Sequence, residues 1–281
     1  MRNDGTFMSN QILPPLTQIP AYLQTVADYE CEAKKHLSEM VWAYLQGGAM
    51  DEVSVRDNLQ QFSQTHLMPR MLKDLTQGNT QCEILGQRFP HPIFLAPIGH
   101  QQQFHPDAEA ASALAAEVSG SNIVLSTFTN TDMRQLKKDN PYKWFQLYWQ
   151  GDRAKSLSLV KIAEAHNFKA IVLTVDSPHT GIRDRERRAF FHLPEGMQHP
   201  HTPAHIPLPP LNEDDHPVFD GLMKIAPTWA DIAWLKTQTD LPIILKGIVH
   251  PEDALLAIQH GIQGLIISNH GGRVLDTCLH H

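Results

Sequence analysis

The sequence predicts an α/β protein. The expected fold is a (β/α)8 TIM barrel of which about six strand–helix units are present, preceded by a small N-terminal helical segment. Three observations carry this. From residue 91 onward, short apolar runs alternate with helical stretches. Runs of four to six apolar residues between helices mark buried parallel strands. Almost every run is followed at once by a chemically active group: Gly99, Ser126, Gln146 with Tyr148, Thr174 with Asp176, Lys246, and Ser268 with His270. Polar groups gathered at the carboxyl ends of successive strands are what a barrel active site requires. The competing architecture, a doubly wound open sheet, calls for a Gly-x-Gly-x-x-Gly turn after its first strand. Here the first run leads into "APIGHQQQFHP", which has no such turn.

Residues 1–90 are read as the helical segment plus short strands. Residues 21–62 carry three helical stretches: "VADYECEAKKHL", "SEMVWAYLQGG" with Ser38 as N-cap and Gly47 and Gly48 at its end, and "EVSVRDNLQQF". "QCEILGQRFPHP" reads as two short strands around Gly86. Residues 91–281 are read as the incomplete barrel. Its strands are "PIFLAP", "NIVLST", "WFQLYW", "KAIVLTVD", "LPIILKG" and "GLIISNHGG". Its helices are the Ala-rich stretch ending at Gly120, "NTDMRQLKKD", "DRAKSLSLVKIAEAHN", "TWADIAWLKTQT" with Thr228 and Asp231 at capping-box spacing, and "HPEDALLAIQHG". The sixth strand lacks a following helix. Between the fourth and fifth strands, residues 190–227 form a lid-like loop rich in proline and histidine.

Composition narrows the function. The chain has 281 residues, 42% hydrophobic and 19% charged, which is ordinary globular composition. A net charge of −7 argues against a nucleic-acid or anionic-membrane surface. The three cysteines, Cys31, Cys82 and Cys278, stand far apart, so neither a disulfide framework nor a thiolate zinc site is expected. No apolar run is long enough for a transmembrane helix, and the start lacks the apolar core of a signal peptide. A reduced, cytoplasmic protein is expected. His199, His201 and His205 of the loop could be read as metal ligands. They sit among prolines with no regular element to fix their geometry, so no metal is expected.

Several motifs now agree. "SNHGGRVLD" (268–276), "LPIILKGI", "WFQLYW", "AIVLTVDSP", "LAPIG" and "YLQGGAMDE" occur in order and at suitable spacing. Together they resemble the FMN-dependent 2-hydroxy acid oxidases and dehydrogenases, the family of glycolate oxidase, lactate oxidase and mandelate dehydrogenase. The resemblance runs from about residue 25 to 276. It implies FMN as cofactor, a small L-2-hydroxy acid of lactate or glycolate type as substrate, a 2-keto acid as product, and homo-oligomers among full-length relatives. The sequence departs from the family pattern in three places. Val274 stands where glutamine is usual. Phe128 stands where glycolate oxidases carry tryptophan. The seventh and eighth strands, and the segments that hold the flavin phosphate, do not appear. The second expectation is therefore a catalytically inactive remnant that holds FMN poorly.

The resemblance assigns roles residue by residue. Arg183 and Arg273 would anchor the substrate carboxylate, since a guanidinium can bind it through two parallel hydrogen bonds. Tyr44 would add a third contact. His270 would be the base, because imidazole titrates near neutrality. Asp176 would pair with the imidazolium, and Tyr148 would hydrogen-bond the substrate hydroxyl. Lys246 would lie near the flavin ring. Ser126, Gln146, Thr174 and Ser268 would meet the ring edge, and Pro97, Ile98 and Gly99 would approach it through their backbone. Plainer readings exist: a surface charge for Arg183, a core aromatic for Tyr44, a helix N-cap for Asp176, and strand burial for Tyr148. Phe128 and Thr180 suggest room for a lactate-sized side chain or slightly more.

Overall fold

A computed structural model describes residues 12–178, 180–203 and 206–279. Three helices come first: α1 (Val26–His36), α2 (Glu39–Gln46) and α3 (Val53–Gln64). Ser38 caps α2, its hydroxyl accepting from the Val41 amide at 3.2 Å. A hairpin follows, β1 (Cys82–Ile84) against β2 (Gln87–Phe89), turning at Gly86.

Six parallel strands make the main sheet, in chain order: β3 (Phe94–Leu95), β4 (Asn122–Leu125), β5 (Lys143–Tyr148), β6 (Ile171–Thr174), β7 (Ile243–Lys246) and β8 (Gly264–Ile266). Helices α4 (Ala108–Ser119), α5 (Arg153–Ala165), α6 (Asp184–Arg188), α7 (Met223–Ile225), α8 (Trp229–Lys236) and α9 (Pro251–Gln259) fill the connections. The sheet is a curled half-barrel. The expected alternation is present, down to the Thr228 amide donating to the Asp231 carboxylate at 2.9 Å ahead of α8. The sixth strand leads into a single 3-10 turn, His270–Gly272.

Side-chain parity divides the sheet. Ile123, Leu125, Phe145, Leu147, Ile171, Leu173, Ile243 and Leu245 form one buried cluster with α4, α5, α8 and α9. Val124, Trp144, Val172 and Ile244 point the other way and pack with Phe89 of the hairpin. Successive strand residues face opposite sides, so the next residues of that second set fall on the same inner face. They are Ser126, Gln146 and Tyr148, Thr174 and Asp176, Lys246, and Ser268. Register keeps them level: Tyr148 lies beside Thr174, and Thr174 beside Lys246. The hairpin closes the amino end of this interior, and the polar groups line the carboxyl end.

Two expectations are corrected. "NTDMRQLKKD" is not a helix; only Met133–Gln135 turn, as a 3-10 segment. Its two ends are tied to other elements. The buried Glu109 carboxylate takes the Asn130 and Thr131 amides at 3.0 and 3.1 Å. The Lys143 ammonium reaches the Lys138 carbonyl at 3.3 Å. Within the loop at 190–227, a π-helical turn (Pro217–Leu222) runs into α7. The remaining described residues there are irregular.

Among the described residues, β3 and β8 have no strand on their outer sides. The helices that follow β3 and β7 leave Leu114, Val118, Leu255 and Ile258 exposed. No described helix is long and apolar enough to cross a membrane.

The N-terminal helices dock on the stretch after β8. Asn58 and Asn269 exchange side-chain hydrogen bonds at 3.0 and 2.8 Å. Ala49 donates to the Gly272 carbonyl at 2.8 Å. Gly272 has φ +70, and a Cβ there would come within 2.7 Å of the Val55 nitrogen, so glycine is required. The buried Asp276 carboxylate accepts from the Asp51, Ser54 and Thr277 amides at 3.0, 2.9 and 2.9 Å, capping α3 from across the chain. Asp276→Ala is expected to cost about 2 kcal/mol by stranding those donors. Thermal unfolding checks this; an unchanged midpoint would mean that the cap contributes nothing.

Candidate active site

The interior polar groups converge at the carboxyl ends of the strands. His270 stands just beyond β8 with φ +60, a left-handed conformation that costs a non-glycine residue roughly 1 kcal/mol. Three contacts hold it there. Its amide donates to the Ser268 hydroxyl at 3.0 Å. Its Nδ1 lies 2.7 Å from Asp176 Oδ1. Its Nε2 lies 3.2 Å from the Tyr148 hydroxyl. A carboxylate at Nδ1 favours the tautomer that carries its proton there, leaving the Nε2 lone pair as acceptor. Asp176 does not cap a helix. Its close approach depends on Gly247, at φ +108, where a Cβ would sit 2.3 Å from Asp176 Cβ.

Lys246 is largely buried. Its ammonium donates to the Ser268 hydroxyl at 3.0 Å and lies 4.0 Å from Asp176 Oδ2, an oxygen that is buried without a hydrogen-bond partner. Burial pulls the lysine below its ordinary pKa, and Asp176 opposes that shift. An ammonium has three donors. Burial pushes the Tyr148 hydroxyl up, with Asp176 adding to the shift, so the phenol stays protonated.

Ser126, Gln146 and Thr174 form one buried chain. Gln146 Nε2 donates to Thr174 Oγ1 at 3.0 Å, and its Oε1 accepts from Ser126 Oγ at 3.3 Å and the Thr127 amide at 3.1 Å. The Pro97–Gly99 stretch follows β3 beside them, and a Cβ on Gly99 would meet Phe128 Cβ at 3.1 Å.

The two arginines meet at a residue that the sequence reading passed over. Glu186 of α6 is buried, and its Oε1 accepts from Arg183 Nη1 at 2.7 Å and Arg273 Nη2 at 2.9 Å. Arg273 Nη1 also donates to the Tyr44 carbonyl at 2.7 Å and to the Gly47 carbonyl, so it closes the end of α2. Its guanidinium lies over the Tyr44 ring at 5.0 Å. Arg183 Nε is buried with no hydrogen-bond partner. The one clue in the sequence was an acid three residues after Arg183. A hollow of about 310 Å³ beside this group is lined by Thr180, Gly181, Ile182, Arg183, Glu186, Arg187 and Phe191.

The loop histidines make contacts of their own. His199 Nε2 lies 2.8 Å from His100 Nδ1, and His201 Nε2 accepts from the Met133 amide at 2.9 Å. Among the described residues no three metal-ligating side chains cluster; His205 lies outside the described residues. His100, absent from the sequence reading, is buried against Phe128, which pulls its pKa down to about 4 and keeps it neutral.

The half-barrel thus carries, at the carboxyl ends of its strands, a histidine backed by a carboxylate and two arginines joined through Glu186. The chain belongs to the FMN-dependent dehydrogenase family, whose profile matches residues 33–280. It is 41% identical over 256 residues to an L-lactate oxidase of Roseobacter sp. (strain GAI101), covering 90% of this chain and 69% of that one. It is 37% identical over 262 residues to the glycolate oxidase of Spinacia oleracea, covering 90% and 70%. The crystal structure of mandelate oxidase with benzoyl-formic acid superposes with a TM-score of 0.80 at 35% identity, covering 90% of this chain and 70% of that one.

The family's cofactor is FMN, and the inner face fits its ring. The Ser126–Gln146–Thr174 chain presents donors and acceptors at one level, and Lys246 has unused donor capacity beside them. These residues, with Ser268 and the Pro97–Gly99 backbone, are the ones that would hold it.

Proposed function

We propose that this chain oxidises small L-2-hydroxy acids of lactate or glycolate size to 2-keto acids. The observation that carries the reading is His270, set between Asp176 and Tyr148 with its Nε2 turned to the phenol. FMN, when bound, would supply the acceptor for the two electrons and for the second of the two hydrogens that leave the substrate. The residues of the chain do the rest. Arg183, with a buried unpartnered Nε, and Arg273 take the substrate carboxylate as charge-assisted hydrogen bonds. Tyr44 forms the wall beneath Arg273. Tyr148, a protonated phenol, orients the substrate hydroxyl. His270 Nε2 accepts a proton from the hydroxy acid, and Asp176 stabilises the imidazolium through Nδ1. Lys246 offers positive charge to the flavin ring. Turnover of L-lactate, glycolate and mandelate with added FMN tests the reading; oxidation of none of them by FMN-loaded protein would overturn it.

A second reading is favoured by β3 and β8, which among the described residues have no strand on their outer sides. Unpaired parallel edges expose backbone hydrogen-bonding groups and invite aggregation. On this reading the 281-residue polypeptide holds FMN poorly and turns over little. Fluorescence titration with FMN distinguishes the two. Weak binding is the expected result here, and submicromolar affinity with 2-hydroxy acid oxidation would contradict it.

A further inference from the structure

The insertion between β6 and β7 reaches back to the turn after β4 through residues 198–202. Asn130 Nδ2 donates to the Gln198 carbonyl at 2.9 Å, and the Met133 amide donates to His201 at 2.9 Å. The segment 198–201 is thus fixed to the turn after β4. Between these two ties stands His199, whose Nε2 lies 2.8 Å from His100 Nδ1.

His100 is itself held tightly. It adopts φ +60, and its amide donates to the Phe128 carbonyl at 3.0 Å. Its ring stacks on Phe128 with centroids 5.5 Å apart and meets the Tyr44 ring at 6.0 Å. Phe128 in turn lies 5.3 Å from Tyr148, whose hydroxyl faces His270. His199 stands edge-on to both His100 and Phe128. A continuous row of rings therefore runs from the proposed base outward: His270, Tyr148, Phe128, His100, His199.

On the reading proposed above, the carboxylate of the substrate is fixed at the arginines and its hydroxyl at Tyr148 and His270. The remaining substituent on the reacting carbon then meets the ring faces beside Tyr148. We infer that His199, seated on His100, is the outer wall of this side-chain pocket and limits how large a 2-hydroxy acid the site admits. It is a specificity-determining residue that takes no part in the proton transfer. The imidazole–imidazole bond needs one donor N–H and one free lone pair, which fixes the wall in place. Buried neutral His100 supplies one side of it. A wall contributed by an insertion, and not by the barrel, can be changed without touching the reacting groups.

The test is equilibrium binding of two 2-keto acids, pyruvate and benzoylformate, by calorimetry at saturating FMN. Wild type, His199→Ala and His199→Gln are compared, with circular dichroism as a check on folding. Wild type is expected to favour pyruvate. His199→Ala should shift the affinity ratio toward benzoylformate by about tenfold, the scale on which pocket size discriminates apolar groups. His199→Gln, which keeps a polar side chain there, should shift it less. An unchanged ratio in folded His199→Ala, with pyruvate still bound, would overturn the inference and leave the proposed function standing. Failure of wild type to bind either acid would overturn both.

Discussion

Glutamine in place of His270 is expected to abolish oxidation of L-lactate while leaving FMN affinity unchanged. Glutamine retains a hydrogen-bonding side chain of similar reach, but its amide cannot take up a proton at neutral pH. A positioned general base contributes about 10²–10⁴-fold to rate, so kcat should fall by that amount. The ring contacts are independent of it. Ser126, Gln146 and Thr174 bond to one another and not to His270, and Lys246 bonds to Ser268. Steady-state turnover and an FMN fluorescence titration check both halves. A variant that still turns over at the wild-type rate would remove His270 from the proton transfer.

Arg273→Lys should be damaging in two ways at once. Lysine keeps the positive charge but cannot make a forked pair of parallel bonds. Losing charge-assisted hydrogen bonds of about 1.5–3 kcal/mol predicts roughly a ten- to hundredfold fall in kcat/KM. The same guanidinium donates to the Tyr44 and Gly47 carbonyls and shares Glu186 with Arg183. Its loss therefore also releases the end of α2, and the melting temperature should drop. Wild-type kcat/KM with a lowered melting temperature would make Arg273 a structural residue only.

The strands were legible because apolar runs with parallel neighbours leave a simple trace. The inward-facing polar groups were legible for the same reason. Gln146, Tyr148, Thr174 and Lys246 share the parity of Trp144, Val172 and Ile244, and so face the interior. Helical periodicity failed at "NTDMRQLKKD", whose two ends are tied to other elements, the Asn130 and Thr131 amides to Glu109 and the Lys138 carbonyl to Lys143. Long-range contacts of that kind leave no local trace. Glu186 was hidden in a charged run that reads as solvated surface, yet it is buried and accepts a hydrogen bond from each of two arginines. Asn269 and Asp276 show the converse. They belong to a motif that reads as chemistry, and they spend their hydrogen bonds on docking α3. The partners of the loop histidines were not legible: His199 meets His100, and His201 meets the Met133 amide and the Asp132 carboxylate.

The most direct test of the account is the absorbance of the FMN-saturated chain on anaerobic mixing with L-lactate, with fluorescence quenching used first to establish that the flavin is bound. The account predicts loss of the oxidised-flavin absorbance in the wild-type chain and its persistence in His270→Gln. Bound flavin that no 2-hydroxy acid bleaches, or equal bleaching in both proteins, would contradict it.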